Sequence, residues 1–161
     1  MAARAPLRRC VPPAAALLTL LGLLGAGCAA PPAPSSPAGP LAWPTRAGQA
    51  VWQPRRAAPA IAGELVLARG DAGDFVLQFS KPPVPLVEAR RTGAHWEVAF
   101  PAGGRRVRGR GPGPTRLLWL WLPVALEGGA LPRDLGFTWE GENWRLVNPR
   151  TGESLAGYLA P

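Results

Sequence analysis

Short stretches in which apolar and polar residues alternate are the feature that most restricts how this chain can fold. They begin at Gly63 and are separated by clusters of Gly, Pro, Asp and Asn. In one of them Phe75, Leu77 and Phe79 fall on one face of the predicted strand, opposite Gln78. Because successive side chains of a strand point to opposite faces, this pattern predicts strands with one buried face. The short turns between them favour an antiparallel order.

One segment lacks this alternation. It reads TRLLWLWLPVALEGG and follows Pro114, a residue that suits the first turn of a helix. Gly128 and Gly129 suit its end. We therefore expect an apolar helix over about Leu117 to Leu126 that is either buried or faces an apolar environment. Pro123 would end or kink such a helix, so a strand is the alternative.

These elements predict a mainly β fold: a single curved antiparallel sheet of about seven strands, an open or half β-barrel, with the one apolar helix on its concave side. This β-rich domain spans residues 45–161. Its first part is ambiguous, because residues 45–62 carry only Trp52 and Ile61 as large apolar anchors. A short helix around Arg46 to Gln53, ended by the proline that follows, is one interpretation of that part.

Residues 1–27 have the composition of a signal peptide. Arg4, Arg8 and Arg9 precede an apolar run whose uninterrupted helical part is about Ala14 to Leu24. This part is shorter than the roughly 20 residues of a membrane-spanning helix, and small residues follow it. The segment therefore predicts export and cleavage.

The residues LGAGC, ending at Cys28, resemble the bacterial lipobox, in which small residues precede a cysteine that is acylated after cleavage. The match departs from the usual pattern at Gly25, where leucine is common. The resemblance implies that Cys28 is lipidated and holds the chain to a membrane. An ordinary signal peptide cleaved near Ala30 is the alternative. The other cysteine, Cys10, lies in the leader, so the mature chain has no cysteine pair for a disulfide.

Residues 28–44, which include the lipidated N-terminus, form a linker with six prolines. This composition favours extended polyproline geometry. At about 3.1 Å per residue, some 15 residues of this linker would hold the domain roughly 45 Å from the membrane.

The chain is basic. The leader carries three of the 18 basic residues and none of the ten acidic ones, which leaves 15 against ten and a net charge of +5. Every basic residue except Lys81 is an arginine. For an exported protein, anionic lipid headgroups or surface polysaccharides are the expected counter-charges, and we expect no nucleic-acid partner.

The order of predicted elements over Gly63 to Leu159 resembles that of the LolA/LolB-type periplasmic lipid carriers. Those proteins are unclosed β-barrels that hold acyl chains under a lid, and the segment Leu117 to Leu126 would correspond to the lid or plug. The resemblance assigns no functional residues, because it lies in the order of elements and not in a motif. Ala29 and Ala30 follow the lipidated cysteine. In that family's sorting rule an aspartate there retains a lipoprotein in the inner membrane, so the resemblance implies the outer membrane, facing the periplasm.

Two groups of side chains are candidates for ligand binding. They are the tryptophans Trp96, Trp119 and Trp121 and the arginines Arg106 and Arg108. The tryptophans would line an acyl-chain cavity or contact a membrane interface; the alternative is that they fill the core. On a strand both arginines point to the same side and could clamp a phosphate or carboxylate. The alternative for them is a solvated outer face that protects an edge strand.

The chain lacks the residue pattern of a catalytic site. His95 is the only histidine, and Ser154 lies in GESLA, which lacks the final glycine of a nucleophile elbow. Asp71 and Asp74 have the spacing of turn formers and not of a calcium loop. We therefore expect a protein that is not an enzyme and needs no cofactor or metal.

Two hypotheses for function remain. In the first, an apolar cavity with arginines near its mouth binds or transfers lipid or acyl chains in the cell envelope. In the alternative, the domain is a structural or interaction module that docks on an envelope assembly or export complex. Tryptophans packed solidly into a core would favour the alternative.

Overall fold

The computed structural model describes residues 43–160. The signal peptide, Cys28 and most of the proline-rich linker lie outside these residues. The described elements, in chain order, are β1 (Thr45–Gln53), β2 (Ile61–Arg69), β3 (Phe75–Lys81), β4 (Val84–Thr92), β5 (His95–Phe100), β6 (Arg105–Arg110), α1 (Leu118–Leu126), β7 (Gly136–Glu140), β8 (Asn143–Asn148) and β9 (Glu153–Leu159). Short 3-10 turns lie at Asp71–Gly73 and Pro101–Gly103.

The strands form one antiparallel sheet in the order β6-β5-β4-β3-β2-β1-β9-β8-β7. All neighbours except β1 and β9 are consecutive in the chain, so most of the sheet is a meander. The sheet is open, because β6 and β7 are its two edges and do not pair with each other. The mainly β prediction is confirmed, and the nine strands exceed the expected number.

β1 occupies the segment that was ambiguous in the sequence. Residues 45–53 form a strand that pairs with β2 on one side and β9 on the other, so the interpretation of Arg46 to Gln53 as a helix is wrong. The inward-facing positions are Gly48, Ala50 and Trp52. Because two of these residues are small, the apolar alternation of β1 is weak. Its strand conformation is stabilised by pairing on both sides.

The sheet curves around α1. This helix contacts β8 and β9 and also β4 and β5. β4 and β9 are four strand positions apart, which is about 19 Å in a flat sheet. A helix of nine residues is only about 13.5 Å long. Both groups of strands therefore reach the helix because the sheet bends towards it.

Small residues at the centre of the sheet permit this bend. Ala50 pairs with Gly63 of β2 and with Gly157 of β9, so one inward-facing row carries almost no side chain. A Cβ at Gly157 would collide with the carbonyl oxygen of Gln49. Glycine inside a strand is typical of such close approaches and bends.

α1 confirms the predicted apolar helix. Its buried residues are Leu118, Trp119, Leu120, Trp121, Leu122, Pro123 and Ala125. Residues buried all around a helix indicate enclosure on more than one side, which the curved sheet provides. Pro123 lies inside the helix and does not end it. Proline removes one backbone donor, and the burial of the neighbouring apolar side chains offsets that loss.

The C-terminus of α1 has the backbone pattern of a Schellman motif. The amide of Gly129 donates to the carbonyl of Val124 at 2.9 Å, and the amide of Gly128 donates to that of Ala125 at 3.0 Å. Gly128 has a φ of 71°. Glycine adopts this left-handed conformation without steric cost, which is why the helix ends here.

Candidate functional site

The interior of the curved sheet is filled by an aromatic cluster that includes a side chain of α1. Trp119 is fully buried. Its ring lies 5.1 Å from that of Phe79 and 5.5 Å from that of Trp52, measured between centroids. Trp52 also stacks on Phe100 at 6.2 Å. Aromatic pairs at these distances stabilise a core beyond the area that they bury.

The other two predicted tryptophan sites are also nearly inaccessible. Trp121 is 9% exposed, and its indole N–H donates to the carbonyl of Pro114 at 3.3 Å. Trp96 is 8% exposed and lies across Gly109 of β6, where a Cβ would collide with its ring. All three predicted tryptophans therefore contribute to the core, and so does Trp144.

Three of the buried indoles have no hydrogen-bond partner among residues 43–160. They belong to Trp96, Trp119 and Trp144. Leaving a buried donor unpaired costs about 1–3 kcal/mol. Phenylalanine would avoid that cost but would bury less apolar area at the same three positions.

Polar contacts hold α1 at its ends and not along its length. Before the helix, Asn148 Nδ2 donates to the carbonyl of Thr115 at 3.1 Å. After it, Glu127 forms an ion pair with Arg69 of β2. Between these anchors the residues facing the sheet are apolar. Apolar contacts are not directional, so other apolar groups of similar volume can replace them.

A buried carboxyl group, which the sequence did not single out, lies beside the aromatic cluster. Glu153 is 7% exposed and accepts a hydrogen bond from the indole N–H of Trp52 at 3.0 Å. Burial raises the pKa of Glu153 to about 7, and the hydrogen bond from Trp52 offsets part of that rise. Strand alternation could have found this residue, since Glu153 shares the inward face of β9 with Leu155 and Leu159.

The predicted arginine sites lie on the opposite, outer face of the sheet. Glu97 of β5 pairs with Arg90 of β4 and Arg108 of β6 in one cross-strand row. Its carboxylate contacts Arg90 at 3.0 Å, Arg108 at 2.8 Å and Arg106 at 3.3 Å. Partial burial alone would raise the pKa of Glu97. The hydrogen bond from Arg90 and the charges of all three arginines outweigh burial and lower the pKa.

The predicted ligand-binding residues therefore do not form one site. Trp119 and Trp121 belong to the helix inside the sheet, whereas Arg106 and Arg108 point away from it. The arrangement expected from the sequence, with these arginines at the mouth of an interior cavity, does not match this geometry. Of the three tryptophans, Trp96 lines the same surface cavity as Arg108.

Three surface cavities can be described. One of about 260 Å³ lies on the outer face, among Arg90, Thr92, His95, Glu97 and Arg108, with Trp96 and Gly109 beneath. A groove of about 380 Å³ crosses the outer face of β9, β1 and β2 near Tyr158, Val51 and Ala62. A third, also about 380 Å³, lies beside Thr115 and Asn148. Trp119 and Trp121 line none of the three.

Residues 43–160 lack two features, a side-chain cluster for a metal ion and a helix that could cross a membrane. This part of the chain contains no cluster of three or more histidine, cysteine, aspartate or glutamate side chains that could hold a metal ion. None of its helices combines the length and apolarity that a bilayer crossing requires.

Comparison of the chain with known protein families and with curated proteins finds no match.

Proposed function

We propose that this protein is a non-enzymatic, membrane-anchored lipoprotein that binds or transfers lipid or acyl chains in the cell envelope, and that α1 occupies the acyl-chain site when no ligand is bound. The observation that carries the proposal is an apolar helix enclosed by an open sheet and tied to it by polar groups only at its ends. Anchoring at Cys28, through the lipobox that the sequence resembles, places the domain beside its lipid source.

The energetics of the exchange are those of apolar burial. Each methylene removed from water contributes about 0.8 kcal/mol, so a chain of about 15 methylenes gains on the order of 12 kcal/mol. That gain has to exceed the cost of removing α1 from the interior. The cost is lowest at a membrane surface, where the apolar side chains of α1 contact lipid instead of water.

A second function is favoured by one specific observation. The tryptophans fill the interior in the described structure, and a filled sheet is the expected state of an interaction module that docks on an envelope assembly or export complex. In that function α1 never leaves the interior. The two functions therefore differ in whether an acyl chain can reach Trp144, which is buried on the inner face of β8.

Bromine atoms on an acyl chain quench tryptophan fluorescence on contact, which makes a direct test. The fragment of residues 37–161 keeps every residue that the structure describes and would be mixed with a brominated fatty acid, with its fold checked by circular dichroism. We expect quenching that falls sharply in Trp144→Phe, because Trp144 stays on the sheet when α1 leaves and its indole is then the one that the acyl chain contacts.

Trp139 supplies the matched control, since it is half exposed on the edge strand β7. Trp139→Phe should leave the interior component of quenching unchanged. Native mass spectrometry of the same fragment should show bound fatty acid at a stoichiometry of one. Quenching confined to Trp139, with no bound mass, would contradict acyl binding and leave the interaction module as the function.

A further inference from the structure

The outer face of β4, β5 and β6 carries a convergent set of hydrogen-bond donors. Arg90, Glu97 and Arg108 form one cross-strand row, and Thr92 and His95 form the beginning of the next row. These five residues surround the cavity of about 260 Å³. Trp96 and Gly109 also line this cavity, although the side chain of Trp96 points to the opposite face of the sheet by strand alternation.

The charges in this set do not cancel. One carboxylate, that of Glu97, contacts three guanidinium groups. The side chains of Arg90, Arg106 and Arg108 are 60%, 53% and 64% exposed, whereas that of Glu97 is 12% exposed. Each guanidinium has five N–H donors, and a carboxylate accepts only about four hydrogen bonds. Most of the donors therefore remain available to a further anion.

Protection of an edge strand explains arginines on β6 but not this arrangement. Charges that only prevent edge pairing need no common target. Here Arg90, which lies two strands from the edge, converges with Arg108 on the same carboxylate beside a cavity. Glu97 holds the guanidinium groups in place and thereby pre-organises them.

We propose that this cavity binds a phosphate group, with Arg90 and Arg108 as its principal ligands and Thr92 and His95 beside them. Guanidinium groups bind phosphate through paired N–H donors, which suits two arginines that are already oriented. The cavity is smaller than the roughly 300–1,000 Å³ of drug-sized ligand sites, so it fits a headgroup and not an acyl chain. The phosphate comes either from an anionic phospholipid headgroup or from free phosphate. The site lies outside the α1 interior and goes beyond the function proposed above.

Binding to vesicles tests the site. The chain beginning at residue 28 with Cys28→Ser keeps every described residue and cannot be acylated. It would be mixed with vesicles of phosphatidylcholine alone and with vesicles that also contain phosphatidylglycerol, and sedimented at fixed ionic strength. We expect binding to the phosphatidylglycerol vesicles to fall at least tenfold in the double variant Arg90→Gln/Arg108→Gln. The control pair Arg133→Gln/Arg145→Gln removes the same charge from exposed positions elsewhere and should change binding less than twofold.

Charge-conserving variants distinguish specific contacts between guanidinium groups and phosphate from nonspecific electrostatic attraction. Arg90→Lys/Arg108→Lys keeps the charge but replaces the planar guanidinium groups, so the proposal expects vesicle binding to fall several-fold. Arg133→Lys/Arg145→Lys should leave vesicle binding unchanged. Competition by inorganic phosphate would support the site and identify free phosphate as a ligand. Loss of vesicle binding without such competition would support it with the lipid headgroup as the ligand. Equal losses in the two pairs would overturn the proposal, and so would equal binding to both vesicle types together with no binding of inorganic phosphate. Bromine quenching at Trp144 reports the interior separately.

Discussion

The indole N–H of Trp52 donates a hydrogen bond to Oε1 of Glu153 over 3.0 Å, and this contact joins β1 to the first residue of β9. Trp52 also contacts Trp119, so the carboxyl group lies one residue away from the helix inside the sheet. Glu153 is therefore a polar group at the boundary of the apolar interior. Through Trp52 it is linked both to β1 and to the cluster that contacts α1.

We expect Glu153 to make the protein less stable as the pH rises. Its pKa is about 7 in the folded chain, against an ordinary value of 4.5. A raised carboxyl pKa means that folding favours the protonated form, so its contribution is full below about pH 4.5 and is lost as the pH approaches 7. The free energy of unfolding falls by on the order of 3 kcal/mol over this pH range. Urea unfolding at several pH values would measure it, with Glu153→Gln as the comparison because it cannot ionise. Parallel profiles for the two proteins would contradict the prediction.

Truncation of Trp119 should show how much of the core depends on α1. Trp119→Ala removes a fully buried ring that contacts Trp52 and Phe79. We expect the free energy of unfolding to fall by about 3–5 kcal/mol. Trp139→Ala, at a position that is 50% exposed, should cost less than about 1 kcal/mol. Chemical denaturation followed by circular dichroism would compare them, and similar losses would show that the aromatic cluster does not hold the fold.

The bend at the centre of the sheet should depend on Gly157. A Cβ there would collide with the backbone of Gln49 and Ala50, so Gly157→Ala forces β1 and β9 apart. We expect a loss of at least about 2 kcal/mol, which is typical of overpacking against backbone. Gly136 of β7 is the control, because a Cβ there would meet nothing within 4 Å. Thermal unfolding should show a clear fall in Tm for Gly157→Ala and almost none for Gly136→Ala.

Asn148 should be required to anchor the segment that precedes α1. It is 2% exposed; its Nδ2 donates to Thr115, and its Oδ1 accepts from the amides of Arg150 at 3.0 Å and Thr151 at 3.3 Å. Asn148→Ala leaves these buried groups unpaired, which we expect to cost about 2–3 kcal/mol. Hydrogen exchange should also speed up at the start of α1. Asn143→Ala, at an exposed position of the same strand, should leave both quantities unchanged.

Local patterns in the sequence accounted for much of the fold. Alternation along Phe75, Leu77 and Phe79 predicted the buried face of β3, and the unbroken apolar run predicted α1. β1 escaped prediction because Gly48 and Ala50 carry little apolar surface. Their role is to let neighbouring strands approach, which no periodicity records.

The candidate sites depended more on tertiary structure. The sequence identified tryptophans and arginines as the residues of interest, but it did not separate them onto opposite faces. Alternation within β6 places Arg106 and Arg108 on the same face of the sheet. Whether Trp96 lies on that face or on the opposite one depends on the register between β5 and β6. The convergence of Arg90 and Arg108 on Glu97 depends on two such registers, and so could not be derived from any one strand.

By itself the sequence determined the class of the fold, the apolar helix and the basic character of the domain, because these follow from residue order over a few turns or strands. Only the tertiary structure decided that β1 pairs with β9, that Glu153 is buried beside Trp52 and that three arginines share one carboxylate. These contacts join residues distant in the chain or on different strands. Their formation depends on how the whole sheet curves around α1, which is a property of the packed molecule and not of any local segment.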